Sequence, residues 1–296
     1  MRERNVKPTG RLARIEEVSL RIARWLPVII TYGILIYTYY VYVVVLCSHY
    51  LIYVVDQRTK SALYLAFFHI LFLPTTFSFS RSVFGDPGDT RKLKMHIPGA
   101  VQGPLQEDSV PLDPDSTRYC GICQQYKPPR THHCSDCGRC CLKMDHHCVF
   151  LNNCVGFKNY KQFYLVSFWG SLLCTFVLAT LLQILIWQLT VDRTVPNSIQ
   201  MLIVACFAFV LGMGCYALLI FHTYIIGKGR TTIEQITVKD HERTPNVVEM
   251  PPDYSLGVRH NFTEVLGPRW YLWLLPYPNS KGDGMHFPIK QSQSVT

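Results

Sequence analysis

The sequence predicts an all-α polytopic membrane protein: four transmembrane helices, with a small cysteine-rich cytosolic module between the second and the third. Three observations carry that prediction. The 296 residues are 49% hydrophobic and only 17% charged, against about 25% charged in an ordinary soluble domain. The apolar residues collect into four uncharged runs. Eight of the twelve cysteines crowd into the window Cys120–Cys154.

The runs are Leu26–Leu46, Ser61–Phe79, Phe163–Leu189 and Ile199–Ile226. Crossing about 30 Å of hydrocarbon takes roughly 20 apolar residues in a helix. The first, third and fourth runs meet that length. The second is shorter and carries His69 and Pro74; proline kinks or ends a helix, so this is the marginal span. The runs are apolar all round, unlike the one-sided stripe of a soluble helix.

Orientation follows from the basic residues. Seven Lys and Arg lie in residues 1–25, eleven in 81–161 and eight after Ile226. The connector 47–60 holds only Arg58 and Lys60, and the connector 190–198 only Arg193. The excess of positive charge puts both termini and the middle segment in the cytosol. The predicted organisation is a cytosolic N-terminus (1–25), spans one and two (26–80), a cytosolic segment (81–162) containing the cysteine-rich module (118–162), spans three and four (163–226) and a cytosolic tail (227–296). No cleavable leader is visible, because the basic start is polar and the first apolar run is long enough to span. The net charge of +9 is then a topology signal, and nucleic-acid binding is a poor reading of it.

A disulfide framework does not suit a cytosolic module, since that compartment is reducing. Metal binding fits. Cys120-Gly-Ile-Cys123 and Cys134-Ser-Asp-Cys137 are both C-x2-C pairs, which put two thiolates on one tight turn within reach of a single Zn(II). Two closed tetrahedral sites take eight ligands. The window offers eight cysteines together with His132, His133, His146 and His147. Four groups are left over, and spacing alone leaves open which. A spare cysteine beside a spare histidine is the arrangement of an activated nucleophile and its base. Cys47, Cys174, Cys206 and Cys215 lie in or beside the spans and read as small apolar residues.

Asp145-His146-His147-Cys148, set in this Cys/His pattern with two spans on each side, resembles the signature of the DHHC protein S-acyltransferase (palmitoyltransferase) family. Asp86-Pro87-Gly88 after the second span resembles that family's DPG motif. Thr231-Thr232-Ile233-Glu234 after the fourth resembles its TTxE motif, and Asn261 with the aromatic segment behind it resembles its tail motif. The resemblance covers most of the chain. It implies one structural zinc on Cys120, Cys123, His133 and Cys140 and a second on Cys134, Cys137, His147 and Cys154. Cys141, His132, His146 and Cys148 then remain unassigned.

The resemblance further implies that Cys148 attacks the thioester of an acyl-CoA, that His146 takes its proton, and that Asp145 orients His146. A substrate cysteine then takes the acyl group. Lys127, Arg130 and His132 are expected to face the CoA phosphates, and Phe150 to lie beside the acyl thioester. The acyl tail is expected to enter a cavity among the helices that is closed by side chains of the first and third spans. The family usually continues Cys-Pro-Trp; here Val149 and Phe150 follow Cys148.

Asp86 and Glu234 are expected to brace loops against the module, and Asn261 to hydrogen-bond to the module backbone. Trp270–Leu275 is too short to span and is expected at the membrane surface or under the module. Asn261-Phe-Thr263 is a glycosylation sequon that a cytosolic tail leaves unmodified. The segments 86–117 and 240–257 read as flexible connectors, and no internal repeat is visible. The implied partners are the lipid bilayer and membrane-associated proteins with accessible cysteines, at the Golgi, endoplasmic reticulum or plasma membrane. The competing class is a non-catalytic zinc-binding membrane scaffold or transporter. A transporter needs intramembrane charges, and the spans offer only His69 and His222.

Overall fold

The structure, a computed structural model, describes residues 19, 22–92, 118–191, 197–277 and 282–290. Four long helices form its frame. Helix α1 spans Leu26–Tyr39, with Pro27 in the first turn, where a missing N–H costs nothing. It continues as a π-helix over Tyr40–Val54. Helix α2 is Arg58–Phe84, α3 is Tyr160–Val191 and α4 is Ser198–Gly227. Each is long and apolar enough to cross a membrane.

The helices overrun the apolar runs that predicted them. Only residues 55–57 separate the π-helix from α2, so Arg58 and Lys60 belong to the second helix and not to a connector. Arg58 stays at the surface beside Asp56, 3.0 Å away, as a long cation at a helix end does. Nor does α2 end at Pro74, which lies inside it. Pro74 withholds a donor from Ile70 O, and in the same turn Thr75 Oγ1 donates to Leu71 O at 2.7 Å. The predicted N-terminal segment lies almost entirely outside the described residues, as does most of the connector 190–198.

Helix α3 packs against both α2 and α4. Tyr42, Leu46 and Leu51 of the π-helix meet Phe68, Leu181 and Met201 in a buried apolar cluster. Tyr42 stacks on Phe68 with ring centroids 4.5 Å apart, and its hydroxyl lies 3.0 Å from Thr180 Oγ1. Ile36, Leu189 and Ile220 point outward, as lipid-facing residues must.

The cysteine-rich module is three short antiparallel hairpins: β1 (Arg118–Cys120) with β2 (Gln125–Lys127), β3 (His132–Cys134) with β4 (Arg139–Cys141), and β5 (His146–Cys148) with β6 (Asn153–Val155). Their registers are superimposable. Cys120 faces Gln125, Cys134 faces Arg139, and Cys148 faces Asn153. Each turn closes through one left-handed residue, Gln124, Gly138 and Asn152 in order. The module is therefore an internal repeat, which corrects the sequence reading. The repeat escapes notice because only the cysteine at the end of the first strand is common to all three units.

Three motifs fasten the module to the helices. Asn153 Nδ2 reaches the carbonyls of Ser82, Val83 and Gly85 at 3.1, 3.1 and 2.9 Å, satisfying acceptors that the end of α2 leaves without intrahelical partners. Asp86 accepts from the amides of Gly88 and Asp89, and Gly88 O accepts from Leu142 N at 2.9 Å. Gly88 has φ +111°, and a Cβ there would meet Leu142 Cβ at 3.1 Å. On the tail side, helix α5 (Thr232–Arg243) starts with a capping box between Thr231 and Glu234. Helix α6 (Val258–Leu266) follows.

Residues 86–92 and 244–257 are not merely connectors. The first segment lies on β4 through the Asp89–Cys141 bridge, and Tyr254 of the second places its ring 4.4 Å from the Arg130 guanidinium. Residues 93–117 lie outside the described part. Trp270–Leu275 runs along α3: Lys161 Nζ donates to Leu272 O and Trp169 Nε1 to Leu274 O, both at 2.9 Å.

Candidate active site and metal centres

The hairpins bring the cysteines and histidines together in two sets. In the first, the Sγ atoms of Cys123, Cys120 and Cys140 lie 3.2, 3.6 and 3.8 Å from His133 Nδ1. In the second, those of Cys137, Cys134 and Cys154 lie 3.4, 3.5 and 3.9 Å from His147 Nδ1. Bonds of 2.3 Å to sulfur and 2.0 Å to nitrogen on a tetrahedral ion put such atoms about 3.6 Å apart. Both sets fit Zn(II). Hydrogen bonds among the thiols pull Cys134 down and push Cys137 and Cys154 up. The eight residues are those that the family resemblance implied.

Asp145 immediately precedes strand β5, which carries His146 and Cys148. Asp145 is 1% exposed. Its Oδ2 lies 2.7 Å from His146 Nδ1. Thr232 donates to Asp145 twice, from its amide at 2.9 Å and from Oγ1 at 2.7 Å. Burial alone would raise the Asp145 carboxyl, but the hydrogen bond to His146 and its other partners hold it below the usual carboxylate value. Burial disfavours the charged form of His146, yet its hydrogen bond to Asp145 and its interaction with the Cys148 sulfur prevail and push the imidazole up to about 9. Cys148 packs against an apolar cluster that holds Val28, Phe79, Tyr160 and Phe163, so the thiol stands against the ends of the helices.

The TTxE segment divides its work. Thr231 caps α5, Thr232 holds Asp145, and Glu234 grips Arg130 through two 2.7 Å bonds. Arg130 does not stand at the surface for phosphate, as the sequence suggested. Its side chain is 1% exposed and also donates to Gly229 O at 2.9 Å. Lys127 and His132 line a cleft of about 450 Å³ with Pro128, Pro251 and Tyr254, where Arg130 forms part of the wall. Val149 and Phe150 are exposed at the tip of the third hairpin. Asn261 does not reach the module backbone. It donates to Gly227 O at 2.9 Å and to Ser255 Oγ at 3.0 Å, closing the end of α4.

Sequence reasoning missed two residues here. Asn153 gave no local signal. His222, 2% exposed on α4, had one: it is a lone histidine in an apolar span, and such residues mark function by default. Its Nδ1 lies 2.9 Å from Tyr160 Oη, and its ring centroid 6.0 Å from that of His146.

The profile of the DHHC palmitoyltransferase family matches residues 113–239. The chain is 33% identical to palmitoyltransferase ZDHHC20 of Homo sapiens, over 91% of this chain and 78% of the relative. It is 36% identical to palmitoyltransferase ZDHHC20-B of Danio rerio, over 90% and 83%. It is 33% identical to palmitoyltransferase ZDHHC15 of Xenopus laevis, over 92% and 84%. The chain belongs to the DHHC palmitoyltransferase family and is a membrane-bound protein S-palmitoyltransferase.

Proposed function

We propose that the chain moves a long-chain acyl group from acyl-CoA to cysteines of membrane-associated proteins through a thioester on Cys148. The observation that carries this is the Asp145–His146–Cys148 relay, with its thiol against the apolar cluster at the mouth of the helix bundle. The Cys148 sulfur attacks the thioester carbonyl, and the CoA sulfur leaves with a proton from His146. In the second step His146 takes the proton of a substrate thiol, which attacks the acyl-enzyme and releases Cys148. Asp145, fixed by Thr232, keeps His146 in one tautomer and stabilises its charged form. The eight ligands in two sets would hold Zn(II), whose role is to fold a module with little apolar core.

Lys127 and His132 in the cleft are the basic groups proposed for the CoA phosphates, while Arg130 keeps the cleft wall in place through Glu234. Phe150 at the hairpin tip would lie beside the first carbons of the chain. Each CH2 that leaves water contributes about 0.8 kcal/mol, which favours an acyl tail among the spans. The cytosolic face is proposed for both termini and the module, on the basic-residue distribution. A scaffold or transporter reading is not favoured, since it leaves the relay without a role.

The test is labelling of the purified protein with an alkynyl palmitoyl-CoA. A hydroxylamine-labile label mapping to Cys148 supports the reading. A label mapping to another residue, with Cys148→Ser labelling as well as wild type, sinks it.

A further inference from the structure

His222 brings a second imidazole to the active site from within the helix bundle. It stands on α4 between Leu219 and Ile226, and both of these pack in the apolar cluster that Cys148 joins. Residues three and four apart share one face of a helix, so the His222 ring points toward that same cluster. The residue is 2% exposed. Its ring meets Phe163 edge-on with centroids 4.9 Å apart, and Phe163 meets the His146 ring edge-on at 5.1 Å. Asp145, His146 and His222 each place one polar side-chain atom within 4.8 Å of those of the other two.

The one hydrogen bond of this ring among the described residues sets where its proton sits. His222 Nδ1 lies 2.9 Å from Tyr160 Oη. With the Tyr160 hydroxyl donating to Nδ1, the neutral ring carries its hydrogen on Nε2. The other tautomer would leave the buried Tyr160 hydroxyl without an acceptor among the described residues. It would also set a bare nitrogen lone pair near the Asp145 carboxylate. Nε2–H is thus a donor with no acceptor of its own, next to the histidine that handles the proton. Thr232 offers nothing comparable, because its amide and its hydroxyl are both spent on Asp145.

We propose that His222 is a further catalytic residue, whose Nε2–H donates to the thioester carbonyl oxygen and stabilises the negative charge that gathers there. This role rests on Cys148 being the nucleophile. When the Cys148 sulfur bonds to the carbonyl carbon, the C=O π pair moves onto oxygen. The pair returns as the bond to the CoA sulfur breaks, and that sulfur leaves with the proton of His146. The same oxygen is charged again when a substrate thiol, its proton taken by His146, attacks the acyl-enzyme and displaces Cys148. His222 keeps its own proton through both steps. A preorganised donor aimed where such charge develops contributes roughly 10²–10³-fold in rate. Tyr160 is then a positioning residue, because it holds the ring in the donor tautomer.

The experiment reads two reactions of the same sulfur in the purified full-length enzyme. Self-acylation by palmitoyl-CoA is followed in single turnovers, and alkylation of Cys148 by iodoacetamide is followed by mass. Alkylation needs the same thiol and the same loss of a proton, but it puts no charge on a carbonyl oxygen. His222→Phe should keep its zinc and its affinity for acyl-CoA, acylate roughly 10²–10³-fold more slowly, and alkylate as fast as wild type. His222→Gln carries an amide N–H of similar reach and should recover about tenfold or more of that loss. Tyr160→Phe should slow acylation about tenfold and leave alkylation unchanged. If His222→Phe loses zinc, the other two variants carry the same comparison. Acylation and alkylation that fall together would make His222 a support for the fold or for His146, and would overturn the donor role. So would a His222→Phe that acylates as fast as wild type, which hands the oxygen to the backbone amides after Cys148, or a His222→Gln as slow as His222→Phe. A wild-type acyl label on a residue other than Cys148 sinks the nucleophile assignment itself, and it shows before any variant is made.

Discussion

Cys148 stands fourteen residues after Cys134 and occupies the same hairpin position: Cys134 faces Arg139 across its hairpin, and Cys148 faces Asn153. Yet Cys134 belongs to a metal set and Cys148 does not. The reason lies in how the hairpins share ligands. Each set takes one cysteine from the end of the first strand and one from the turn of a hairpin, then a histidine and a cysteine from the strands of the next. No fourth hairpin follows the third, because the chain enters α3 at Tyr160. Leu151 stands where Cys123 and Cys137 stand in the earlier turns, and it is buried in the apolar cluster beside Phe79 and Phe163. The nucleophile is a ligand position that the repeat leaves without its partners.

Cys148→Ser should therefore keep two zinc ions and the wild-type melting temperature while losing the acyl-enzyme. Cys134→Ser, at the equivalent position, should lose an ion and much of the folded yield, because structural zinc binding is folding free energy. Metal analysis and thermal melts of the two variants, side by side, check this. Loss of zinc from Cys148→Ser would return that sulfur to a metal site.

The spans and the module were legible because both rest on local signals, apolar run length and cysteine spacing. Helix ends were not, because Arg58 and Lys60 look like a loop to a charge count while their stems extend the helix. Arg130 read as surface charge, since nothing in its own neighbourhood announces Glu234, 104 positions later. Asn153 and His222 act only through long-range contacts. The repeat was hidden for a different reason: Tyr119, His133 and His147 hold matching positions, and only two of them are metal ligands.

Asn153→Ala should cost about 1–3 kcal/mol, the penalty for leaving buried acceptors unpaired, since Val83 O and Gly85 O lose their side-chain donor and Ser82 O keeps only Asn159 at 3.5 Å. Asn153→Asp should cost more, because a carboxylate turns acceptors toward acceptors. Both variants should bind zinc but melt lower, and self-acylation should fall as the module loosens from the helices. Thermal melts with metal analysis measure it; two melts equal to wild type would show that the clamp is dispensable.

His146 is pushed up to about 9, from an ordinary value near 6.5. The sign follows from linkage. A raised histidine stabilises the folded state in its charged form, fully below about 6.5 and less as pH rises through about 9. The same charged form donates the proton to the leaving CoA sulfur in the first step. Single-turnover acylation should decline as pH passes about 9. Asp145→Asn removes a main support of the imidazolium, so its decline should begin at lower pH, with a slower maximum. An unchanged alkaline limb in Asp145→Asn would separate that limb from His146.

Tyr42 joins three spans by its hydrogen bond to Thr180 and its stack on Phe68. If the acyl tail runs into the bundle from Cys148, this buried cluster limits its length. Tyr42→Ala should move the preference toward longer chains, at some cost in stability from the cavity. Tyr42→Phe keeps the ring and should keep the preference. Competition between acyl-CoAs of different length, read on the acyl-enzyme by mass, decides it; an unmoved preference in Tyr42→Ala would place the end of the chain elsewhere.

The last prediction concerns the two residues after the nucleophile. Leu151 N donates to Cys148 O at 3.2 Å, so residues 148–151 form a tight turn with Val149 in its second position. Proline is favoured there, because its fixed φ matches the turn. Val149→Pro should therefore stiffen the turn without breaking a bond across it. Phe150 is 63% exposed at the hairpin tip, so a larger ring meets no packed wall in the protein, and the usual overpacking cost of about 1–3 kcal/mol does not arise. Phe150→Trp then adds aromatic surface where the acyl chain leaves the thioester. The double variant should acylate itself faster with long chains than with short ones, and about tenfold in rate would correspond to 1.4 kcal/mol of transition-state stabilisation. Self-acylation rates of both forms across a series of chain lengths measure it. A double variant that holds two zinc ions and melts normally, yet is slower with every chain, would mean that Val149 and Phe150 make a contact the turn geometry does not reveal, and that the pair is an adapted part of this site.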